Sequence, residues 1–154
     1  AHVCAARGRV TERQRPGVVC ERVVVERQRL RPADAGLPAE YATDGNPGTR
    51  WSSLHAEPQW IYVDLGEEAY VDRVVLLWEV AYGADYDIEI ADASNGPWVS
   101  VHHEAAGNGD TDDLTSFTPA KGRYVRMFGN TRGTPYGFSL FEFEVYGDTD
   151  ENCK

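Results

Sequence analysis

Three groupings in this 154-residue chain place side chains able to do chemistry close together. The first is the loop DGNPGT, residues 44–49, inside YATDGNPGTRWSS. Asp, Gly and Asn mark a tight turn, because Asp and Asn tolerate unusual backbone angles and Gly permits positive φ. Such a turn aims carbonyl oxygens inward. With the Asp44 carboxylate and the Thr49 hydroxyl it forms a cage for a hard cation that takes roughly six to eight oxygens. A metal-free Asx turn is the competing reading. The second grouping is His102, His103 and Glu104 with Asp110, Asp112 and Asp113, by residue type an acid/base or metal cluster. On an alternating strand its two histidines point to opposite faces, which spoils a shared metal. The third is TRGTPYGFSLFEFEVYG, residues 131–147, where a loop broken by glycine and proline carries Arg132 and Tyr136. It leads into a strand that holds Glu142 and Glu144. No GxSxG, HExxH or glycine-rich phosphate loop occurs, which leaves catalysis the weaker reading. Paired carboxylates for glycoside hydrolysis depend on a separation of ~5–10 Å that only tertiary structure sets.

The elements that must position these residues are short and extended. QWIYVDL (59–65) stops at Gly66, and YVDRVVLLWEV (70–80) at an AYGAD turn. YDIEIAD (86–92) alternates strictly and stops at SNGP, and WVSVHHE (98–104) runs into AAGNGDTDD, a loop by composition. DLTSF (113–117), RYVRMFG (123–129) and FSLFEFEVYG (138–147) complete the set. From residue 34 onward no long segment shows a 3.6-residue period. Short strands at regular spacing, rich in Val, Ile, Tyr, Trp and Phe, indicate an all-β antiparallel sandwich or barrel. Its expected core contains Trp51, Trp60, Ile61, Val63, Leu65, Val75, Leu77, Phe143 and Val145.

Charge narrows the partners. Residues 1–33 hold eight arginines against three glutamates, whereas residues 34–154 hold seven basic and 22 acidic residues. An acidic body argues against nucleic acid and against anionic membranes, which attract Lys and Arg clusters. Neutral ligands and polycations remain. No apolar run approaches the ~20 residues of a membrane helix, and no signal peptide is visible. The three cysteines, Cys4, Cys20 and Cys153, fit no metal-ligand spacing. The N-terminal RGRVTERQRPGVVCERVVVERQRLRP has no clean period, and its VVVERQRL (23–30) reads equally as strand, charged helix or disorder.

The pair DGNPGTRW and YGFSLFEFEVYG, with PQWIYVDLG, VLLWEVAYGADYDIEIADAS and KGRYVRMFGN between them, resembles the discoidin-like domains of the coagulation factor V/VIII type C superfamily. Within that group it is most similar to family 32 carbohydrate-binding modules, and there to the chitosan-binding discoidin modules of bacterial chitosanases. The resemblance covers residues 34–147, leaving an anomalous Arg-rich segment, 1–33, and a short tail, 148–154. It implies a jelly-roll β-sandwich of about eight antiparallel strands whose termini meet, which would let Cys4 approach Cys153. The family's opening strand is Ser/Thr/Ala-rich. In GC-rich DNA, Val, Glu and Arg codons become Ser- and Ala-type codons when shifted by one base, so residues 1–33 are expected to be an out-of-frame reading of that strand.

The same resemblance implies a structural calcium held by Asp44 and Thr49, by backbone oxygens of Tyr41, Asn46 and Phe141, and by Glu142 from the last strand. Without metal, Glu142 would instead pair with an arginine. For the ligand it implies Arg50, His55, Glu79 and Tyr136. Arg50 would donate to sugar hydroxyls, and Glu79 would accept from hydroxyls or pair with a glucosamine ammonium. Tyr136 would lay its flat apolar face on the C–H side of a pyranose. Surface or core roles are the plain alternatives for these four. The sequence departs from the family in two places. His55 stands where a tyrosine is usual, and a usual glutamate is replaced by Ala33 with Asp34 beside it, which makes Asp34 a further expected ligand residue. The implied role is non-catalytic: a secreted, extracellular, monomeric bacterial module that holds an attached catalytic domain on chitosan or another β-linked polysaccharide. A neutral β-glucan or galactose-type ligand, and an adhesion or membrane-binding discoidin role, are the alternatives. The short acidic loops LHAEP, AYGAD and GNGDTDD speak against the last.

Overall fold

The computed structural model describes residues 37–150 in full and, as strand backbone, residues 11–15, 18–24 and 28–29. In chain order the strands are β1 (Thr11–Arg15), β2 (Val18–Val24), β3 (Gln28–Arg29), β4 (Trp51–Ser52), β5 (Gln59–Trp78), β6 (Gly83–Ala91), β7 (Val99–Glu104), β8 (Thr111–Leu114), β9 (Ala120–Arg132) and β10 (Ser139–Asp148). A four-residue 3-10 turn, Ala39–Ala42, is the one helical element among the described residues. The all-β expectation holds. Cys4, Cys153 and Asp34 lie outside the described residues, as do the side chains on which the reading-frame expectation rests.

All strand pairs are antiparallel, and the two layers share β5. Gln59 to Asp64 and, past a register slip, Ala69 to Val71 pair with β9, and residues 62 and 63 with β3. β9 continues to β6 and β6 to β7. The later part of β5 pairs with β10 on one side and β8 on the other, and β10 continues to β2 and β1. Two strands expected on either side of Gly66 are therefore one. Gly66 has φ +84° and sits where the β5–β9 register slips, so it bends the strand without ending it. β8 likewise starts at Thr111, inside a stretch whose composition reads as loop, because Asp112 is drawn inward as described below.

Burial follows the period-two pattern, with one change of phase. Ile61, Val63, Ala69 and Val71 face the core, and then Val74, Leu76 and Trp78 do. The switch falls at Asp72, the extra residue where Arg73 pairs with Tyr146 but Val71 pairs with Gly147. Trp51, Phe143 and Val145 are buried as expected. Trp60 and Leu77 are not. Ile61 and Val63 take the inward positions, which turns Trp60 outward, where it stacks on Phe128 with centroids 6.0 Å apart. Leu77 is half-buried on the outer side of β5, next to the buried Leu76.

One polar contact anchors the edge of the core. The Trp78 indole N–H (2.8 Å) and the Tyr86 hydroxyl (2.6 Å) both donate to Asp112 Oδ2. Burial and the Asp112 charge push the Tyr86 hydroxyl far above its ordinary pKa. Asp112→Ala would leave two donors on buried rings without a partner, which costs about 1–3 kcal/mol. Its melting temperature is expected to fall by about 2–12 °C. An unchanged melting curve would remove Asp112 from the set of stabilising contacts.

Candidate ligand-binding site

Arg50, His55, Glu79 and Tyr136 line one open cavity of about 460 Å³, together with Leu37, Ser52, Val80 and Ala81. They come from four loops at one end of the sandwich. Arg50 enters β4, His55 follows it, Glu79 leaves β5, and Tyr136 precedes β10. One backbone bond and one side-chain bond hold the Tyr136 loop against the His55 loop: Ser53 N–H donates to the Phe138 carbonyl (2.8 Å), and Phe138 N–H donates to the Ser53 hydroxyl oxygen (2.8 Å). The approach is so close that a Cβ on Gly137 would lie 2.6 Å from the Leu54 carbonyl oxygen.

The polar floor of the cavity is wired to buried groups. Arg50 Nη1 donates to Ser139 Oγ (3.0 Å), and the Ser139 hydroxyl donates to the Trp51 carbonyl (2.7 Å). Ser139 is fully buried, so this relay fixes the guanidinium from below. Glu79 Oε2 accepts the Ala81 N–H at 3.1 Å and lies 3.8 Å from Arg50 Nη1. A half-exposed pair at that distance contributes at most about 1 kcal/mol, so both charges stay available to a ligand. Above the floor, Tyr136 is 58% exposed, and His55 meets its ring edge-on with centroids 5.9 Å apart. Val80, 70% exposed, adds an apolar rim. The cavity thus offers a flat aromatic face beside a cation and an anion.

Loop 44–49 folds as an Asx turn on the far side of Arg50. Asp44 Oδ1 accepts the Asn46 N–H at 2.8 Å, and Thr49 Oγ1 lies 2.7 Å from Asp44 Oδ2 and 2.8 Å from the Asn46 carbonyl oxygen. Gly45 takes φ +71°. Glu142 reaches this loop through an irregularity in β10. Leu140 pairs with Trp78 but Glu142 with Leu77, so Phe141 is an extra residue and Glu142 points to the outer face of its sheet. The Asp44 loop covers it there, leaving it 7% exposed. Backbone N–H groups of Gly45 and Asn46 point at its carboxyl, yet burial and the Asp44 charge push its pKa up to about 7. Its Oε1 is buried and unpartnered, as is Thr43 Oγ1. Among the described residues no arginine pairs with it. Two carboxylates facing one another with an orphaned oxygen suit a hard cation. Tyr41 lies in the 3-10 turn that leads into this loop, and Phe141 adjoins Glu142.

Residues 41–127 match the family model of the F5/F8 type C, NedA-like, galactose-binding domain. The chain belongs to this family. Chitosan-binding module 1 of a chitosanase/glucanase from Paenibacillus sp. IK-5 is 48% identical, with a TM-score of 0.70 over 74% of this chain and 88% of that one. Module 2 of the same enzyme, in complex with chitotriose, is 43% identical with a TM-score of 0.70, over 74% and 89%. A polysaccharide lyase 8 family protein, HylA, from Enterococcus faecalis is 30% identical over 114 residues, 70% of this chain. The chain spans 8% of that relative's length. The solved modules are binding domains of an enzyme and not its catalytic unit, so this F5/F8 type C domain is non-catalytic.

Within the F5/F8 type C domain four of the expected ligand residues share one cavity, and Asp44, Asn46, Thr49 and Glu142 meet at the other loop. The imagined acid/base cluster does not assemble. His103 lies on the outer face between Asp85 and Asp87, while His102 is opposite the buried Ile88 with its Nε2 enclosed. Sequence reasoning missed Leu37, Ser52, Val80 and Ala81 in the cavity, and Ser139 beneath it. Val80 carried a signal, since it is an apolar residue set just beyond Glu79 and the end of β5 at Trp78. Among the described residues no helix is long and apolar enough to cross a membrane.

Proposed function

We propose that this domain binds a β-linked polysaccharide, preferring glucosamine-containing chains over neutral β-glucan, and so holds an attached secreted bacterial enzyme on its polymer. The reading rests on one observation: Arg50, Glu79 and Tyr136 converge on a single cavity, in a chain 43–48% identical to two chitosan-binding modules. Tyr136 packs the sugar, Arg50 donates to hydroxyls, and Glu79 faces the ammonium. The same reading gives the Asp44 loop a structural calcium, held by Asp44, Glu142 and neighbouring backbone oxygens. Bound there, the ion neutralises two carboxylates and braces the loop that ends at Arg50.

Calorimetry with glucosamine trimer and a neutral β-glucan trimer tests the preference. Glu79→Gln is expected to weaken the glucosamine trimer by up to about fivefold, as one exposed charge pair allows. It should spare the neutral trimer, and the loss should shrink at high salt. Equal binding of both trimers, unchanged in Glu79→Gln, would transfer the assignment to neutral β-glucan.

A further inference from the structure

We propose that Glu57 and Arg132, which do not line the cavity, are positioning residues for ligand binding that hold the Tyr136 loop in its presenting shape. The proposal rests on the reading of Tyr136 as the sugar platform. Glu57 Oε1 accepts two hydrogen bonds from Arg132, from the backbone N–H at 2.7 Å and from Nε at 3.1 Å. The far end of the same guanidinium turns back on the loop. Arg132 Nη1 donates to the Pro135 carbonyl (3.2 Å) and, more weakly, to the Tyr136 carbonyl (3.5 Å). One side chain therefore ties the loop that carries His55 to the backbone that carries Tyr136.

Loop 133–137 has few other restraints. Gly133 N–H donates to the Tyr82 carbonyl (2.9 Å), and Tyr136 N–H reaches Thr134 Oγ1 at 3.3 Å. The Tyr82 ring closes off the space where a Gly133 side chain would go, its Cζ being 2.2 Å from that Cβ position. The entry to the loop is thus packed and its exit is paired to Ser53, while its crown depends on Arg132. Glu57 is held below the ordinary carboxylate range by the Arg132 N–H and guanidinium, so its carboxylate stays ionised across neutral pH. Both side chains are partly exposed, 36% and 25%, and the pair adds little to global stability. Its contribution lies in binding. A loop already ordered loses less freedom when the sugar arrives.

The test measures glucosamine-trimer binding by calorimetry and amide hydrogen exchange of the sugar-free domain, in Glu57→Ala, Arg132→Gln, both together, and Glu57→Gln. Each of the first two is expected to weaken binding roughly two- to fivefold. The double variant should be no worse than the singles, since the residues act as one unit. Glu57→Gln, which keeps an acceptor oxygen, should recover part of the loss. In a Tyr136→Ala background the Glu57→Ala loss should disappear. Without sugar, amides of residues 133–137 should exchange faster in Glu57→Ala while those of β5 and β9 keep their protection. Unchanged exchange at 133–137, or a Glu57→Ala loss that persists in full without Tyr136, overturns the positioning role. Wild-type protein that binds no sugar removes the functional reading instead, and exchange in the free protein still decides the role of the pair.

Discussion

Chelation of calcium is expected to lower the melting temperature of the domain at pH 7.5 by about 5–10 °C. An ion bound only by the native state, at a hundredfold excess over Kd, stabilises it by about 2.7 kcal/mol. For a domain of this length each kcal/mol moves the midpoint by about 2–4 °C. The effect should carry a pH signature. Without metal the Glu142 carboxyl titrates near 7, above its ordinary 4.5, because it is buried beside the Asp44 charge. Between those values the native state keeps a proton that the unfolded chain has released. That contribution to stability is complete below about pH 4.5 and is lost as pH rises through 7. Metal-free protein should thus melt higher at pH 5.5 than at 7.5, by an amount corresponding to about 2 kcal/mol. In chelator Glu142→Gln should lose this dependence, and calcium should no longer raise its melting point. Coincident melting curves in calcium and in chelator, with no metal found by elemental analysis, would reject the site.

Tyr136→Ala is expected to weaken every sugar ligand by about ten- to a hundredfold. The ring is 58% exposed in the free domain, so a pyranose laid on it removes apolar surface from water on both partners. Covering an aromatic side chain is worth about 1.5–3 kcal/mol, which converts to that range. The loss should be the same for charged and neutral oligomers, unlike that of Glu79→Gln, because the ring reads shape and not charge. Tyr136→Phe keeps the face and should lose little. Melting temperature should hardly move, since the side chain projects from a loop and supports no core contact. Wild-type affinity in Tyr136→Ala would take the tyrosine out of the site.

Much of this domain is legible in its residues. Ile61, Val63, Ile88, Ile90, Phe143 and Val145 announce their strands by alternation alone, and all are buried. The four ligand positions came from family likeness, and the fold gathers them because loops between antiparallel strands collect at the ends of a sandwich. What escaped was set by single extra residues. Asp72 and Phe141 each shift the phase of a strand, and no periodicity shows where a strand will bulge. The Phe141 irregularity turns Glu142 toward the Asp44 loop. Trp60 departs from expectation for a simpler reason: its size suggests the interior, while its position between inward neighbours turns it to the outer face, half-buried. The Glu57–Arg132 pair spans 75 residues, a distance at which spacing carries no information.

The single strand β5 has a consequence for how the domain comes apart. Twenty residues run without interruption from one layer of the sandwich into the other, and the strands on both sides of them lie far away in the chain. Neither layer can melt while the other stays folded, because the strand they share would have to be lost from both at once. Unfolding is therefore one cooperative event. Were the domain to tether an enzyme to a polysaccharide as proposed, drag on the attached cargo would meet one all-or-none barrier and find no weak half to peel away first.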